Sequence, residues 1–388
     1  MRKIFLLLCL IVTVSKAQLS EQGYISVLTC GPYQGELYSA FGHSAFRIYD
    51  PARGINVVCN YGTFDFDQPN FYLNFARGNN LYKLNIEEYP RFESRYIYEN
   101  RFIHEQILNL TNEQKQKLFA YLQNNARPEN ASYLYDYFYD NCSTKIRDVV
   151  KAALGDDVIF DESYITTDFT IRELTDIYIK EQQPWGDLGI DICLGLPMDK
   201  QATPLEYMFL PDFVEAGFDR AKVRQDNGST TASLVKEKII VYESREEEQE
   251  KGLPHPLYFT VFIAVVTLAL TIWDFKRQRL STWFDMLVFG LAGLIGLLLA
   301  VLWFFTNHQA AAKNFNLLWA FPVHLVAAIA LQRSPRWLKY YFLFATGLVV
   351  ITLLSWPLLP QMLHYALIPW VASIGIRAFA QFYFRQNM

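Results

Sequence analysis

Charge is scarce in this chain of 388 residues: Asp, Glu, Lys and Arg together make up 19%, and the formal net charge is −4. The scarcity is local. Residues 256–388 hold 2 acidic and 9 basic residues, net +7, whereas residues 1–255 hold 37 acidic and 26 basic ones, net −11, an ordinary soluble composition. A single soluble domain is excluded, and so is a disordered tail. The acidic soluble part excludes a basic nucleic-acid binder, and no nucleic acid is expected as a partner. Cysteine is also sparse, at five residues. No His or Cys pair has metal-ligand spacing, so neither a metal nor another cofactor is expected. There is no internal repeat and no low-complexity tract. No chain of carboxylates crosses the apolar segments, which argues against a pump or transporter.

What is present begins with an address. Arg2 and Lys3 precede the apolar run Ile4 to Val14, and Ser15-Lys16-Ala17 offers a small-residue cleavage site. Residues 1–17 read as a secretory signal peptide. Cys9 lies too early in that run to be a lipid-modified cysteine. Cys30, Cys59, Cys142 and Cys193 remain, and in an exported domain four cysteines allow three pairings into two disulfides.

Five apolar segments follow Pro256, near 257–273, 283–305, 315–331, 338–356 and 358–376. Each is long enough to cross ~30 Å of hydrocarbon as a helix. Lys276, Arg277 and Arg279 lie in one connection, Arg333, Arg336 and Lys339 in another, and Arg377 and Arg385 in the tail; the two intervening connections hold only Lys313. This alternation places the residues before 256 outside the cytoplasm. Trp273, Trp283, Trp303, Trp337, Trp356 and Trp370 lie near the expected helix ends, as an interfacial belt would. Among the polar residues in or near the spans, His324 and His364 stand out as ionisable histidines, and a neutral His324 bonded to a neighbouring helix is the simpler reading.

Between 18 and 240 the pattern is that of an α+β domain. Tyr24–Cys30, Ser44–Asp50, Ile55–Asn60 and Leu81–Ile86 carry strand composition between Gly/Pro turns. Thr111–Asn125 reads as a helix with Thr111 and Gln114 forming a capping box, and Cys142–Leu154 as a second one ended by Gly155. Further helices are expected near 68–77 and 169–180. Residues 227–253 read as a polar lead-in, and a linker over 241–255 joins the domain to the membrane domain, 256–388.

Two stretches carry chemistry. Phe41-Gly42-His43-Ser44-Ala45 places His43 at a strand start after a glycine turn. Tyr139-Asp140-Asn141-Cys142-Ser143-Thr144 places Cys142 in the first turn of a helix capped by Asp140 or Asn141. A thiol there meets unpaired N–H groups and the positive end of the helix dipole, which favour the thiolate and can bind an oxyanion. His43 is the expected base, and Asn60, with Asp65 as its substitute, the group that orients it. Ser44 and Thr144 are candidate supporting residues. His104 competes as the base, and a disulfide to Cys142 competes with catalysis. Helix-start thiol and strand-borne histidine are the layout of papain-like enzymes. The histidine comes about 100 residues before the cysteine, the permuted order of enzymes resembling lecithin retinol acyltransferase.

Leu28 to Pro32, Phe41 to Ala45, Asn60 to Phe66, Glu105 to Leu110, Pro128-Glu129-Asn130, Asp140 to Thr144 and Met208 to Asp212 together resemble the periplasmic domain of the Lnb-type lipoprotein N-acyltransferases of Bacteroidota. The resemblance spans roughly 20–225, and the membrane helices match that family's layout. It implies a permuted papain-like domain in the periplasm, anchored in the inner (cytoplasmic) membrane. It also implies Cys142 as nucleophile, His43 as base, a phospholipid acyl donor and a lipoprotein acceptor. The aromatic run Tyr133 to Tyr139 then reads either as an apolar path for the acyl chain or as plain packing. A cell-envelope cysteine peptidase or amidase using the same pair, and a non-catalytic membrane scaffold, are the alternatives.

Overall fold

The computed structural model describes residues 18–64, 67–225, 229–245 and 253–386. The expected signal peptide and Asp65 lie outside them.

The chain before the membrane domain builds β1 (Tyr24–Cys30), β2 (His43–Asp50), β3 (Ile55–Thr63), α1 (Phe71–Arg77), β4 (Asn80–Glu88), α2 (Tyr89–Tyr98), β5 (Ile103–Leu108), α3 (Asn112–Asn125), β6 (Ser132–Tyr135) and α4 (Cys142–Leu154). It continues through β7 (Val158–Ile159), α5 (Ile171–Ile179), α6 (Pro184–Cys193), α7 (Pro204–Tyr207), α8 (Pro211–Arg220), β8 (Lys222–Gln225), β9 (Thr230–Ser233) and β10 (Val235–Tyr242). Seven strands form one antiparallel sheet in the order β10-β5-β1-β2-β3-β4-β6, and β7-β8-β9 form a small second sheet.

Period-two alternation splits the large sheet's two faces. Val27, Phe46, Ile48 and Cys59 pack with Leu118 and Leu122 of α3 and Ile146, Val149 and Val150 of α4. Leu28, Ala45 and Val58, one residue out of phase, pack under Tyr89, Phe92 and Tyr96 of α2. The Thr111–Gln114 capping box of α3 forms as read. Residues 230–242 correct the expectation of a polar lead-in: they are β9 and the edge strand β10, paired with β5. The charges of Lys236, Glu237 and Lys238 suit an exposed edge, which must discourage further pairing.

The membrane domain consists of α9 (Pro256–Arg277), α10 (Thr282–Phe305), α11 (Val323–Ala330), α12 (Trp337–Ser355) and α13 (Ile368–Gln386). Among the described residues, four helices are long and apolar enough to cross a membrane. The segment expected to be a third full helix is instead a 3-10 turn, Phe315–Leu318, followed by the short α11 after Pro322. Gly296 of α10 makes room for it, because a Cβ there would collide with the Ala320 carbonyl oxygen. His324 is buried on α11, with Nδ1 against the Tyr341 hydroxyl of α12 at 2.6 Å, as read. The last helix starts at 368 rather than 358. Arg377 is therefore no tail residue: it is fully buried against Asp285 (2.5 Å) and Asp274 (2.9 Å). Trp370, expected in the interfacial belt, is buried in the bundle, whereas Trp273, Trp283 and Trp337 are exposed.

The sheet domain is seated on the bundle. Gly195 N–H donates to Ala310 O, Asn314 Nδ2 to Ile192 O and Gln361 Nε2 to Leu194 O, at 2.7 to 2.9 Å. Leu188 of α6 packs into the bundle core. At the same junction lies a buried cluster that spacing in the sequence did not reveal, Asp187, Asp191 and His364. His364 Nδ1 accepts the Ala366 N–H (3.1 Å), which leaves the ring hydrogen on Nε2, facing Asp187 Oδ2 at 3.2 Å. The imidazole acts there as a hydrogen-bond donor to a carboxylate.

Candidate active site

His43 opens β2 directly after Gly42, whose φ of +80° is strained for any residue with a Cβ. His43, Asn60 and Glu87 fall on the α2 face of three adjacent strands by their pairing registers. His43 Nε2 lies 2.7 Å from Asn60 Oδ1, and Asn60 Nδ2 donates to Glu87 Oε1 at 3.0 Å. Glu87 in turn pairs with Arg95 of α2 at 3.1 Å. The polarity of this chain is fixed from its far end. An ionised carboxylate only accepts, so it holds the amide group of Asn60 and turns the amide oxygen to His43. That oxygen requires a hydrogen on Nε2, which leaves the Nδ1 lone pair of His43 for the thiol. The structure thus sets Asn60, the residue expected to orient the imidazole, directly against His43. Glu87 and Arg95 were not foreseen, because only the β3–β4 register and the return of α2 bring them there.

Cys142 is the first residue of α4 and half-buried. Asn141, not Asp140, is the cap: its Oδ1 accepts the N–H groups of Ser143 and Thr144, both at 2.9 Å, and Thr144 Oγ1 accepts the Asn141 N–H at 2.8 Å. Asn141 Nδ2 donates to Tyr137 O and Phe209 O, tying the helix start to the segment before α8. Asp140 instead pairs with Lys145 at 2.7 Å. Asn141 therefore takes two of the three first-turn N–H groups expected to bind an oxyanion. Cys142's own N–H is the one left for that role.

Burial pushes the Cys142 thiol up, but the neighbouring His43 charge and hydrogen bonds from His43, the Ser44 N–H and Ser143 outweigh it, bringing the thiol from its ordinary 9.0 to about 7. Ser44 supports the same wall, its Oγ 3.2 Å from that of Ser143. Among the described residues Cys30, Cys59 and Cys193 are free thiols, as Cys142 itself is, so none of them forms the disulfide alternative with Cys142. Burial alone raises Cys59 to about 12 and dominates the rise of Cys30. His104 is elsewhere: it stacks on Phe102 and its Nδ1 meets Glu215 at 3.0 Å.

Two expectations follow for thiol chemistry. Alkylation of Cys142 by iodoacetamide should rise with pH through a midpoint near 7. In His43→Ala the main lowering influence is gone and burial stays, so the midpoint should move above 9. A midpoint unchanged by His43→Ala would break the pairing. Glu87→Leu frees the Asn60 amide to turn over and should slow alkylation at pH 7 about tenfold, an effect that Glu87→Gln, which can still orient an amide, should partly restore.

Residues 16–176 match the family described as Lnb N-terminal periplasmic domain, and residues 247–387 match the Lnb transmembrane domain. The site thus belongs to a periplasmic α/β domain joined to a multi-pass membrane part. The chain is a member of the Lnb family. No curated protein and no solved structure matches it.

Proposed function

We propose that this chain is a lipoprotein N-acyltransferase of the inner membrane, working through a thioester on Cys142. The observation that carries the reading is an activated thiol, paired with an oriented histidine, on a domain seated directly on a membrane bundle. Histidine strand before cysteine helix fits a permuted papain-like fold.

In the first half-reaction Nδ1 of His43 takes the thiol proton, and the Cys142 thiolate attacks an ester carbonyl of a phospholipid. The Cys142 N–H faces the developing oxyanion. Collapse breaks the C–O bond, the lysophospholipid oxygen takes the proton back from His43, and the acyl chain is left as a thioester. In the second, the free α-amine of a diacylglyceryl-cysteine lipoprotein attacks the thioester. His43 accepts a proton from the amine, the C–S bond breaks, and thiolate and amide are the products. The residues need no cofactor for this, and both substrates reside in the bilayer on which the domain stands.

The test is the purified full chain in phospholipid vesicles with a synthetic diacylglyceryl-cysteine lipopeptide, followed by mass spectrometry. The reading expects the lipopeptide to gain one acyl chain as lysophospholipid appears in equal amount. Cleavage of the peptide, with no gain of mass, would instead identify a cysteine peptidase.

A further inference from the structure

Aromatic rings run from the thiol to the top of the membrane bundle. Gly62 lies between Cys142 and Tyr135: a Cβ at 62 would sit 3.4 Å from the Cys142 Cβ and 3.4 Å from the Tyr135 ring. Tyr135 stacks on Tyr82 with centroids 4.2 Å apart, and Tyr82 lies 5.0 Å from Phe64. Phe64, half-buried, meets two different elements. One is Phe71 of α1, at 6.0 Å; the other is Tyr38 of the 3-10 turn Leu37–Ser39, edge-on at 5.9 Å.

α1 rests on the membrane domain directly, and the turn reaches it through α6. The Asn307 N–H donates to Arg77 O at 2.8 Å, and His308 Nε2 lies 3.0 Å from Phe75 O, so α1 is held against the chain that leaves α10. Leu37 approaches Gly186 of α6, whose neighbour Trp185 packs edge-on against Phe259 of α9 at 5.7 Å. The outward side chains are apolar: Tyr72 is 76% and Leu73 47% exposed on α1, and Leu37 and Tyr38 are exposed opposite them. Phe304 and Phe305 at the end of α10 are exposed as well, so this apolar rim continues the lipid-facing surface of the bundle. Aromatic walls that run from a bilayer surface to a nucleophile match a hydrocarbon chain, which needs apolar area and no hydrogen bonds.

We propose that an acyl chain of a membrane lipid reaches Cys142 from the outer leaflet by passing between Tyr38 and α1, over Phe64 and along Tyr82 and Tyr135. The proposal rests on the acyl-transfer reading of the site and adds the route by which the donor enters.

The experiment uses the full chain in proteoliposomes, alkylated at Cys142 with iodoacetamide or with its N-dodecyl derivative and quantified by mass spectrometry. Tyr38→Glu and Leu73→Glu place a charge on either rim at exposed positions the fold tolerates, and Ile240→Glu on β10 is an exposed apolar control. The ratio of long-chain to short-chain alkylation should fall about tenfold in both rim variants and stay at the native value in the control. A ratio unchanged in both rim variants overturns the route. Because alkylation needs no acyl transfer, the two readings fail separately. A native chain that transfers nothing yet shows the rim effect keeps the route and loses the reaction; one that transfers acyl chains with no rim effect loses the route alone.

Discussion

Cys142→Ser should lower acyl transfer in vesicles by at least about 10³-fold while leaving the protein folded. The site brings a thiol to about 7, so much of it is ionised at neutral pH. A serine hydroxyl in the same place stays protonated, and His43 alone cannot make it an adequate nucleophile toward an ester. The substitution exchanges one atom at a helix start whose cap belongs to Asn141, so α4 should be undisturbed. His43→Ala should be nearly as severe, since it removes the base and the charge that stabilises the thiolate. Losses from the two should not add, because thiol and imidazole act as one unit. Acyl transfer at the native rate in either variant, checked by mass spectrometry alongside a thermal melt, would remove Cys142 and His43 from the mechanism.

Arg377→Ala should be the most damaging substitution in the membrane domain, costing about 3–5 kcal/mol. Arg377 makes hydrogen bonds to both oxygens of Asp285, to Asp274 Oδ2 and to Thr271 Oγ1, all of them buried. Asp274 would keep Arg277 and Ser281 as partners, but Asp285 would be left with Gln381 alone. A buried carboxylate without a cation is the expensive product, not the lost pair itself. Consequently the double variant Arg377→Met with Asp285→Leu should recover much of the loss. Thermal stability in detergent, followed by size-exclusion fluorescence, reads both effects; a single variant as stable as the native chain would show that the network does not hold the bundle together.

The pieces of the site that sequence made legible are those set by local backbone geometry. A histidine after a positive-φ glycine at a strand start and a cysteine behind an Asn cap depend on neighbours within three residues, and both stand where the pattern puts them. Asn60 was within reach because it lies two residues before Gly62, near the end of the strand that follows His43's own. Glu87 and Phe209 were not, since the β3–β4 register and a segment 68 residues past Asn141 bring them to the site. In the membrane domain, hydropathy located the spans but misplaced the last one. A window treats Arg377 as the end of an apolar run, yet an arginine matched by two aspartates from other helices continues a helix without difficulty. The broken third segment escaped for a related reason: composition reports that residues are apolar, not that Gly296 lets non-helical chain lie against its neighbour.

The central claim, that this chain adds the N-linked acyl chain to lipoproteins by means of Cys142, is tested most directly in cells. Lipoprotein N-termini would be measured by mass spectrometry in cells lacking the protein, and again after supplying the native chain or Cys142→Ser. The account predicts that the N-linked acyl chain disappears on deletion, returns with the native chain and stays absent with Cys142→Ser. Lipoproteins that keep that acyl chain in the deletion strain, in cells with no second such enzyme, would contradict it.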